Sequence, residues 1–523
     1  MSARRSLRGS ERRCNRWLLG LAAVVGLASL ARPASSQCRG ERLRAIDVGA
    51  FDWFGWAVAV RGDVAVASFP SHFGAGPCVD GAAWVFERAG AGWEPTTMLE
   101  GFTCTEFGFG ASVAVDGDVV VVGVPDHRLP GNLVRGAARV FRRGALGWSD
   151  EATLVPSDSE FGGAGSSVAI EGDTIIVGDP AAFVDGFGGG AVYVFRREAL
   201  GWVEEQKLTA SDAVVGAQFG WSVSVSGDRI AVGAMDDDDL GLRSGSAYVF
   251  RRTASGWIEE AKLIPSDGAN SSRFGQSISI SHEAILVGAV EYGGPLRPGS
   301  AYVFRWDGAS WSEEARLRGT NLDLSSFGCS VSLDCDVALI GAFTRWSASP
   351  GVGAAYLFER TSTGWVMREE IADCSDDANY EYGRAVALSG DTALVSALGD
   401  DEMGEDAGAV FALTVQPKCG CATCDDLYST IASASIDNEG VRHSLRVKAM
   451  SACRAYGRGQ VVVAGNVLCA LVSQCDAQDG QHVEPASAAA IRTCVRSVGD
   501  ALGIPLGRCG RAVPPRAGPR GRR

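Results

Sequence analysis

Histidine is scarce: five in 523 residues. No H-E-x-x-H pair, G-x-S-x-G elbow or phosphate-binding loop occurs. Motif-coded zinc proteases, α/β-hydrolases and P-loop enzymes are therefore excluded. Long apolar runs are also missing. The one candidate, Trp17–Ala31, is short for a bilayer span and rich in small residues. Aromatic residues make up only 8%, against 68 glycines, a balance that points to a turn-rich β body rather than a helical one. Positive charge is lacking where it would matter. Residues 1–36 carry +6, 418–509 carry +1 and 510–523 carry +5, so a total of −14 leaves about −26 on residues 37–417. A body that acidic repels nucleic acid and anionic lipid and favours cations or basic partners.

What is present at the N-terminus reads as an export signal over residues 1–36. Six arginines lie within the first 16 residues, the apolar run follows, and Ala34 and Ser36 suit the −3 and −1 positions of a cleavage site before Gln37. The expected location is extracellular or periplasmic, with no membrane span once the signal is removed. Of fifteen cysteines, Cys14 leaves with the signal. The remaining even number in an exported chain favours disulfides.

The body, residues 37–415, is organised by a repeat. Phe219–Asp228 (FGWSVSVSGD) recurs seven times, at Gly55, Gly110, Gly165, Gly220, Gly275, Gly328 and Gly383. The steps are 55, 55, 55, 55, 53 and 55 residues. Each unit predicts four strands. A short alternating strand one is joined by a tight turn, mostly Gly-Asp, to an apolar strand two. A variable loop leads to strand three, a Gly-x-Ala-Tyr-Val-Phe box in its clearest copies, Gly245–Phe250 and Gly299–Phe304. A tryptophan opens strand four at Trp93, Trp148, Trp202, Trp257, Trp311 and Trp365. The seventh unit stops after strand three, and the orphan segment 41–49 ahead of the first unit supplies the missing strand. Seven four-stranded sheets closed in this way define an all-β, seven-bladed β-propeller.

These landmarks resemble the FG-GAP repeats of integrin α-chain propellers, and more closely their bacterial secreted form, over residues 41–415. Ring closure implies a bond from Cys38 to Cys419 or Cys421, and Cys78 and Cys104 lie in loops of adjoining blades that could pair. Cys329 and Cys335 should not pair, because six residues of strand span about 20 Å, beyond the ~7 Å limit between Cα atoms. Residues 416–424 form a Cys-rich linker. Residues 425–509 show helical spacing and are similar to the small helical FIMAH-type domain, which implies attachment or packing. Four of its cysteines, Cys453, Cys469, Cys475 and Cys494, fall at helical positions suited to stapling a hairpin. The tail 510–523 is Pro, Gly and Arg, composed as a disordered segment.

Integrin-type blades carry calcium in Asp-x-Asp-x-Asp-Gly loops between strands one and two. Here that hairpin has shrunk to about two residues and cannot supply six to eight oxygens. Calcium sites are not carried over, and no cofactor is expected. Long loops are where propellers bind, so the candidate face comprises the strand 2–3 loops and the strand 4–1 connections. On it lie the acidic runs Asp236, Asp237, Asp238, Asp239 and Asp400, Asp401, Glu402, Glu405, Asp406, and the aromatics Phe183, Phe187, Tyr292 and Trp346. A solvated loop is the preferred reading of the acidic runs over a metal site. His72 and His127 occupy equivalent loops of neighbouring units and form a weak metal candidate. Arg61-Gly62-Asp63 spells an integrin-recognition triplet, but the turn alone explains its Gly-Asp. The expected role is an exported binding or adhesion module for a protein, glycan or surface, with no catalytic residues assigned. The alternatives are a propeller hydrolase or lyase using loop carboxylates, and a scaffold without a ligand. Nothing in the sequence fixes the oligomeric state.

Overall fold

The alternation of FGWSVSVS and the apolar RIAVGA fold as the hairpin Phe219–Ser226 and Arg229–Ala234 in the computed structural model. Gly227 turns it at φ 60°, a conformation that suits glycine. The structure describes residues 40–415 except 72–80, 91, 102–105, 130–132, 160–161, 185, 282, 291–297, 321–325, 344–352, 362 and 373–380. Beyond 415 it describes 427, 431, 436, 441–442, 444–449, 452, 461–478, 483, 491 and 495.

The described strands include seven four-stranded antiparallel sheets, one for each repeat. Sheet 4 continues the hairpin with Ser246–Thr253 and Gly256–Leu263. Sheet 1 holds Val58–Arg61, Val64–Phe69, Ala82–Ala89 and Gly92–Glu100. Sheet 7 holds Tyr382–Ser389, Thr392–Ala397 and Ala409–Thr414, and its fourth strand is Glu41–Leu43 from the start of the body. Arg42 stands opposite Phe411 there, as Lys262 stands opposite Tyr248 in sheet 4.

The core lies between the sheets. Strand two is buried on both faces, as its unbroken apolar run requires. One cluster joins Ile176, Val192 and Val194 of sheet 3 to Val223, Val232 and Tyr248 of sheet 4. Another joins Leu394 and Val410 of sheet 7 to Ala65, Ala67 and Trp84 of sheet 1.

Strand one is an edge of its sheet, so half of its backbone N–H groups lack a partner within the sheet. Side chains of the preceding repeat supply acceptors. Ser224 Oγ accepts from the Ile280 N–H at 3.1 Å, Ser279 from Leu333 at 3.0 Å and Ser332 from Leu388 at 2.9 Å. One residue before each turn the pattern repeats. Asp116 accepts from the Gly172 N–H at 2.7 Å, Asp334 from Gly390 at 2.6 Å, and Glu171 from Gly227. Ser389 accepts from Gly62 at 3.4 Å, linking sheet 7 to sheet 1. The alternating serines of SVSVS and SISIS are therefore hydrogen-bonding residues.

The strand-one glycines bring neighbouring sheets close. Ser112, Ser167, Ser222 and Ser277 each donate to the carbonyl of the next repeat's glycine at 2.8 Å. That hydroxyl lies where a Cβ on strand two would go, so strand two has Gly123, Gly178, Gly233 and Gly288. In repeat 6 the Cys329 thiol takes the hydroxyl's place, 3.3 Å from the Gly383 oxygen. It is buried, bonded to neither Cys335 nor Cys475, and pushed up to about 11 by burial. Repeats 1 and 7 exchange the pair. Strand one carries Ala57 and Ala385, and strand two carries Ser68 and Ser396, whose hydroxyls accept from the two alanine N–H groups at 3.1 and 2.9 Å.

Past the sheets, residues 441–442 and 444–449 are helical, a longer helix, α1, covers Val461–Gln478, and Val483 bridges to Ile436. Leu427, Ile431, Leu445, Leu471, Cys475 and Ile491 join one apolar cluster of their own. Among the described residues no helix is long and apolar enough to cross a membrane. Residues 1–36, read above as an export signal, the segment 416–424 and the tail 510–523 lie outside the described residues.

Close approach and left-handed backbone should have different energetic weights. A Cβ on Gly178 would meet the Gly220 oxygen at 2.2 Å, whereas one on Gly172, at φ 56°, would meet nothing within 4 Å. Gly178→Ala should cost about 2–3 kcal/mol in denaturant unfolding, and Gly172→Ala about 1 kcal/mol. Equal costs, or the reverse order, would contradict the close packing of sheets 3 and 4.

Candidate functional site

The strand 2–3 loops and 4–1 connections share one end of the sheets, and the carboxylates there are bound to the framework. In sheet 4 the hydroxyl of the box tyrosine, Tyr248, donates to Asp212 at 2.7 Å and lies 3.0 Å from Asp237. Lys262, opposite it on strand four, reaches Asp212 at 2.6 Å, Asp237 at 3.0 Å, and Asp239. Ser246 donates to Asp237 at 2.6 Å. Burial opposes the charge on Asp237, but the bonds from Ser246 and Lys262 outweigh it and hold the carboxyl below its usual range. The motif recurs as Tyr193–Asp158–Lys207, with both contacts under 3 Å, and as Tyr302–Asp267–Arg316.

The expected solvated run is therefore only partly solvated. Asp238 and Asp239 are exposed, but Asp237 is 3% exposed. Asp236 lies beside Arg273 at 3.4 Å. In sheet 7, Asp400 is 1% exposed and bound by Arg42 at 2.5 Å, and Arg42 also holds Glu402. Asp401 and Glu405 are exposed. Asp237 and Asp400 stand at the same loop position, and Lys262 and Arg42 at the same strand position, so one device is used twice.

Repeat 2 departs from this plan. Arg139 replaces the box tyrosine and lies buried against Glu106 at 2.5 Å and Asp150 at 2.7 Å. His127 Nδ1 is 3.7 Å from Glu106. Burial lowers the His127 pKa, Glu106 opposes the shift and Arg139 reinforces it, so the imidazole is neutral at pH 7. His127 belongs to a small added sheet of Glu106–Phe107, Asp126–Leu129 and Leu133–Val134. Among the described residues no group of three or more His, Cys, Asp or Glu is placed to hold a metal. His72, Tyr292, Trp346, Cys38, Cys78, Cys104 and Cys419 lie outside the described residues. Phe183 is exposed on a two-residue hairpin with Phe187. Arg61 is not idle, since its guanidinium lies 3.7 Å from Asp116.

The paired glutamates of strand four, unexplained by the sequence reading, each serve a different neighbour. Glu204, Glu259 and Glu313 accept from the backbone and hydroxyl of Ser157, Ser211 and Ser266 in the connection before their sheet. Glu260 and Glu314 accept from the indoles of Trp311 and Trp365 in the sheet after it, both at 3.1 Å. Glu205 pairs with Arg252 at 2.6 Å. Their recurrence at the repeat period is the signal that could have revealed this.

A cleft of about 220 Å³ on this end lies at the junction of sheets 7 and 1. Leu43, Val48, Phe54 and Met403 line it, with Arg44 and Glu402 at its rim.

One buried acid gives a pH signature. Asp179 is fully buried, and burial, only partly offset by Ser159, raises its pKa to about 6. Ser159 Oγ lies 2.5 Å from the Arg135 carbonyl oxygen and 2.8 Å from Asp179 Oδ2. An acid whose folded pKa is raised stabilises the fold below its unfolded pKa, near 4, and loses that contribution as pH rises through 6. Asp179→Asn should therefore raise Tm at pH 7.5, by about 1–3 kcal/mol in stability, and flatten the profile between pH 4 and 7. An unchanged slope in the variant would contradict the assignment.

No curated protein matches the chain. The family comparison frames each unit from strand four of one sheet to strand three of the next, and it begins where the box acquires its tyrosine: residues 148–195, 202–250, 257–304, 311–358 and 365–413 are FG-GAP repeats.

Proposed function

We propose that the protein is an exported binding module: a seven-bladed propeller, closed by its N-terminal strand, that recognises a protein or glycan through its loop face. Closure is supported by the pairing of Glu41–Leu43 with Val410–Ala412, and by the 3.1 Å contact of Arg88 with Asp391 between sheets 1 and 7. The five FG-GAP repeats agree with that reading. The residues after 425 are read as a small helical domain for attachment or packing.

Binding rather than catalysis is supported chiefly by one observation. The buried loop carboxylates Asp237 and Asp400 are committed to Lys262 and Arg42, whereas large apolar side chains on the same face are solvent-facing. Leu242 is 65% exposed, and Val214, Val215 and Phe183 are also exposed. Groups tied into ion pairs make poor general acids and bases. Exposed apolar groups on a rigid frame suit recognition. Calcium is not required, because the turns between strands one and two are too short to wrap it.

The test is saturable binding of the purified protein to arrays of glycans and of extracellular proteins. Leu242→Glu on the loop face should weaken the selected interaction at least tenfold. Leu200→Glu, on the opposite strand 3–4 turn, should leave it unchanged. Binding that is lost with Leu200→Glu and kept with Leu242→Glu would overturn the reading, as would the absence of any saturable ligand.

A further inference from the structure

The connection entering sheet 1 lacks the polar links that the connections entering sheets 3, 4 and 5 make. Counted back from the repeat glycine, Ser211 and Ser266 become Ile46, and their partners Glu259 and Glu313 on strand four become Pro95. Asp212 and Asp267 become Asp47, but sheet 1 offers Trp84 and Met98 where sheet 4 offers Tyr248 and Lys262. Asp47 is left exposed. Hydroxyl, carboxylate, phenol and ammonium have been replaced together, and Ile46, 68% exposed, puts an apolar side chain at a position where Ser211 and Ser266 are exposed too.

Two further positions are bulkier than their backbone favours. Phe51 and Trp53 have φ 64° and 55°. The same positions are Gly216 and Gln218 before repeat 4, and Ser271 and Arg273 before repeat 5, with φ of 79°, 57°, 63° and 48°. The left-handed turn is thus part of the frame, but the frame does not call for aromatic rings. Hydrogen bonds from the Phe51 N–H to the Glu405 oxygen and from the Phe54 N–H to the Ala407 oxygen, both 2.8 Å, fix the segment against the sheet 7 loop. Phe51 and Trp53 remain substantially exposed, beside the cleft that Met403 lines.

We propose that this junction is a docking site for a polypeptide segment that inserts one apolar side chain, flanked by Lys or Arg, into the cleft between Met403 and Val48. The occupant is chosen by charge. Asp47, Asp401 and Glu405 are exposed around the opening, against one exposed cation, Arg44, while Glu402 is paired with Arg42 in the cleft lining. The apolar floor excludes water from the anchor, Met403 adapts to its shape, and the acidic rim selects its neighbours. Phe51 and Trp53 supply rigid contact area that costs little side-chain entropy. The proposal rests on the loop-face binding reading and assigns that face a location and a partner chemistry.

A displayed random peptide library selected on the intact protein tests it, followed by fluorescence polarisation with the enriched peptides. The enriched sequence should carry one large apolar residue next to Lys or Arg. Phe51→Ser with Trp53→Gln, residues that other repeats carry at these positions, should raise Kd at least tenfold without lowering Tm. Asp47→Asn should weaken binding and reduce its salt dependence. An acidic or featureless consensus, or full binding by the double variant, overturns the proposal. Binding kept by the double variant but lost with Leu242→Glu would move the site elsewhere on the loop face and leave the broader reading standing. If no peptide is enriched, the junction proposal fails, whatever the glycan and protein arrays return.

Discussion

The exposed edge of strand one sets the terms for the rest of the body. Its outward N–H groups have no strand beside them, and an unmet buried donor is costly. The solution is lateral. A serine, aspartate or glutamate in one repeat accepts from the backbone of the next, as Ser224 does from Ile280 and Asp116 from Gly172. This requires the inner strands to lie close, which in turn requires glycine where strand two faces the neighbour's carbonyl. The exchange of Ser112 and Gly123 for Ala57 and Ser68 shows the constraint acting on a pair of residues: the hydroxyl can sit on either strand, and the partner position must then be small.

The period, the four strands, the Gly-Asp turn and the packing tryptophans were legible because each is local or repeats at fixed spacing. What escaped were partners assembled by the fold. Asp237 reads as one member of a solvated acidic run, and its burial depends on Lys262, twenty-five residues on and opposite Tyr248. Asp400 is harder still, since its partner Arg42 comes from the far end of the body. The serines of strand one read as the polar half of an alternating pattern, and only the neighbouring sheet shows what they bind. Arg139 was within reach: aligning GAARVF with GSAYVF puts an arginine at the tyrosine position, and a buried counterion such as Glu106 must then follow.

Regularity also defines where to look for function. Side-chain links that recur from sheet to sheet explain most polar residues of the loop face as structure. The added sheet around His127 and the connection around Phe51 and Trp53 are what remains. The first is filled by its own Glu106–Arg139 pair. The second leaves apolar surface and a cleft open to solvent, with aromatic side chains on a backbone that elsewhere carries glycine, serine, glutamine or arginine.

Hydrogen exchange at the inner edge tests the lateral ladder most directly. Ser224→Ala removes the acceptor of one amide in the neighbouring repeat. Exchange in peptides containing Ile280 should rise at least tenfold, while peptides containing Leu333 and Leu388, whose acceptors are Ser279 and Ser332, keep their protection. Unchanged protection at Ile280, or an equal rise across all repeats, would contradict a frame held together by side chains crossing from one repeat to the next.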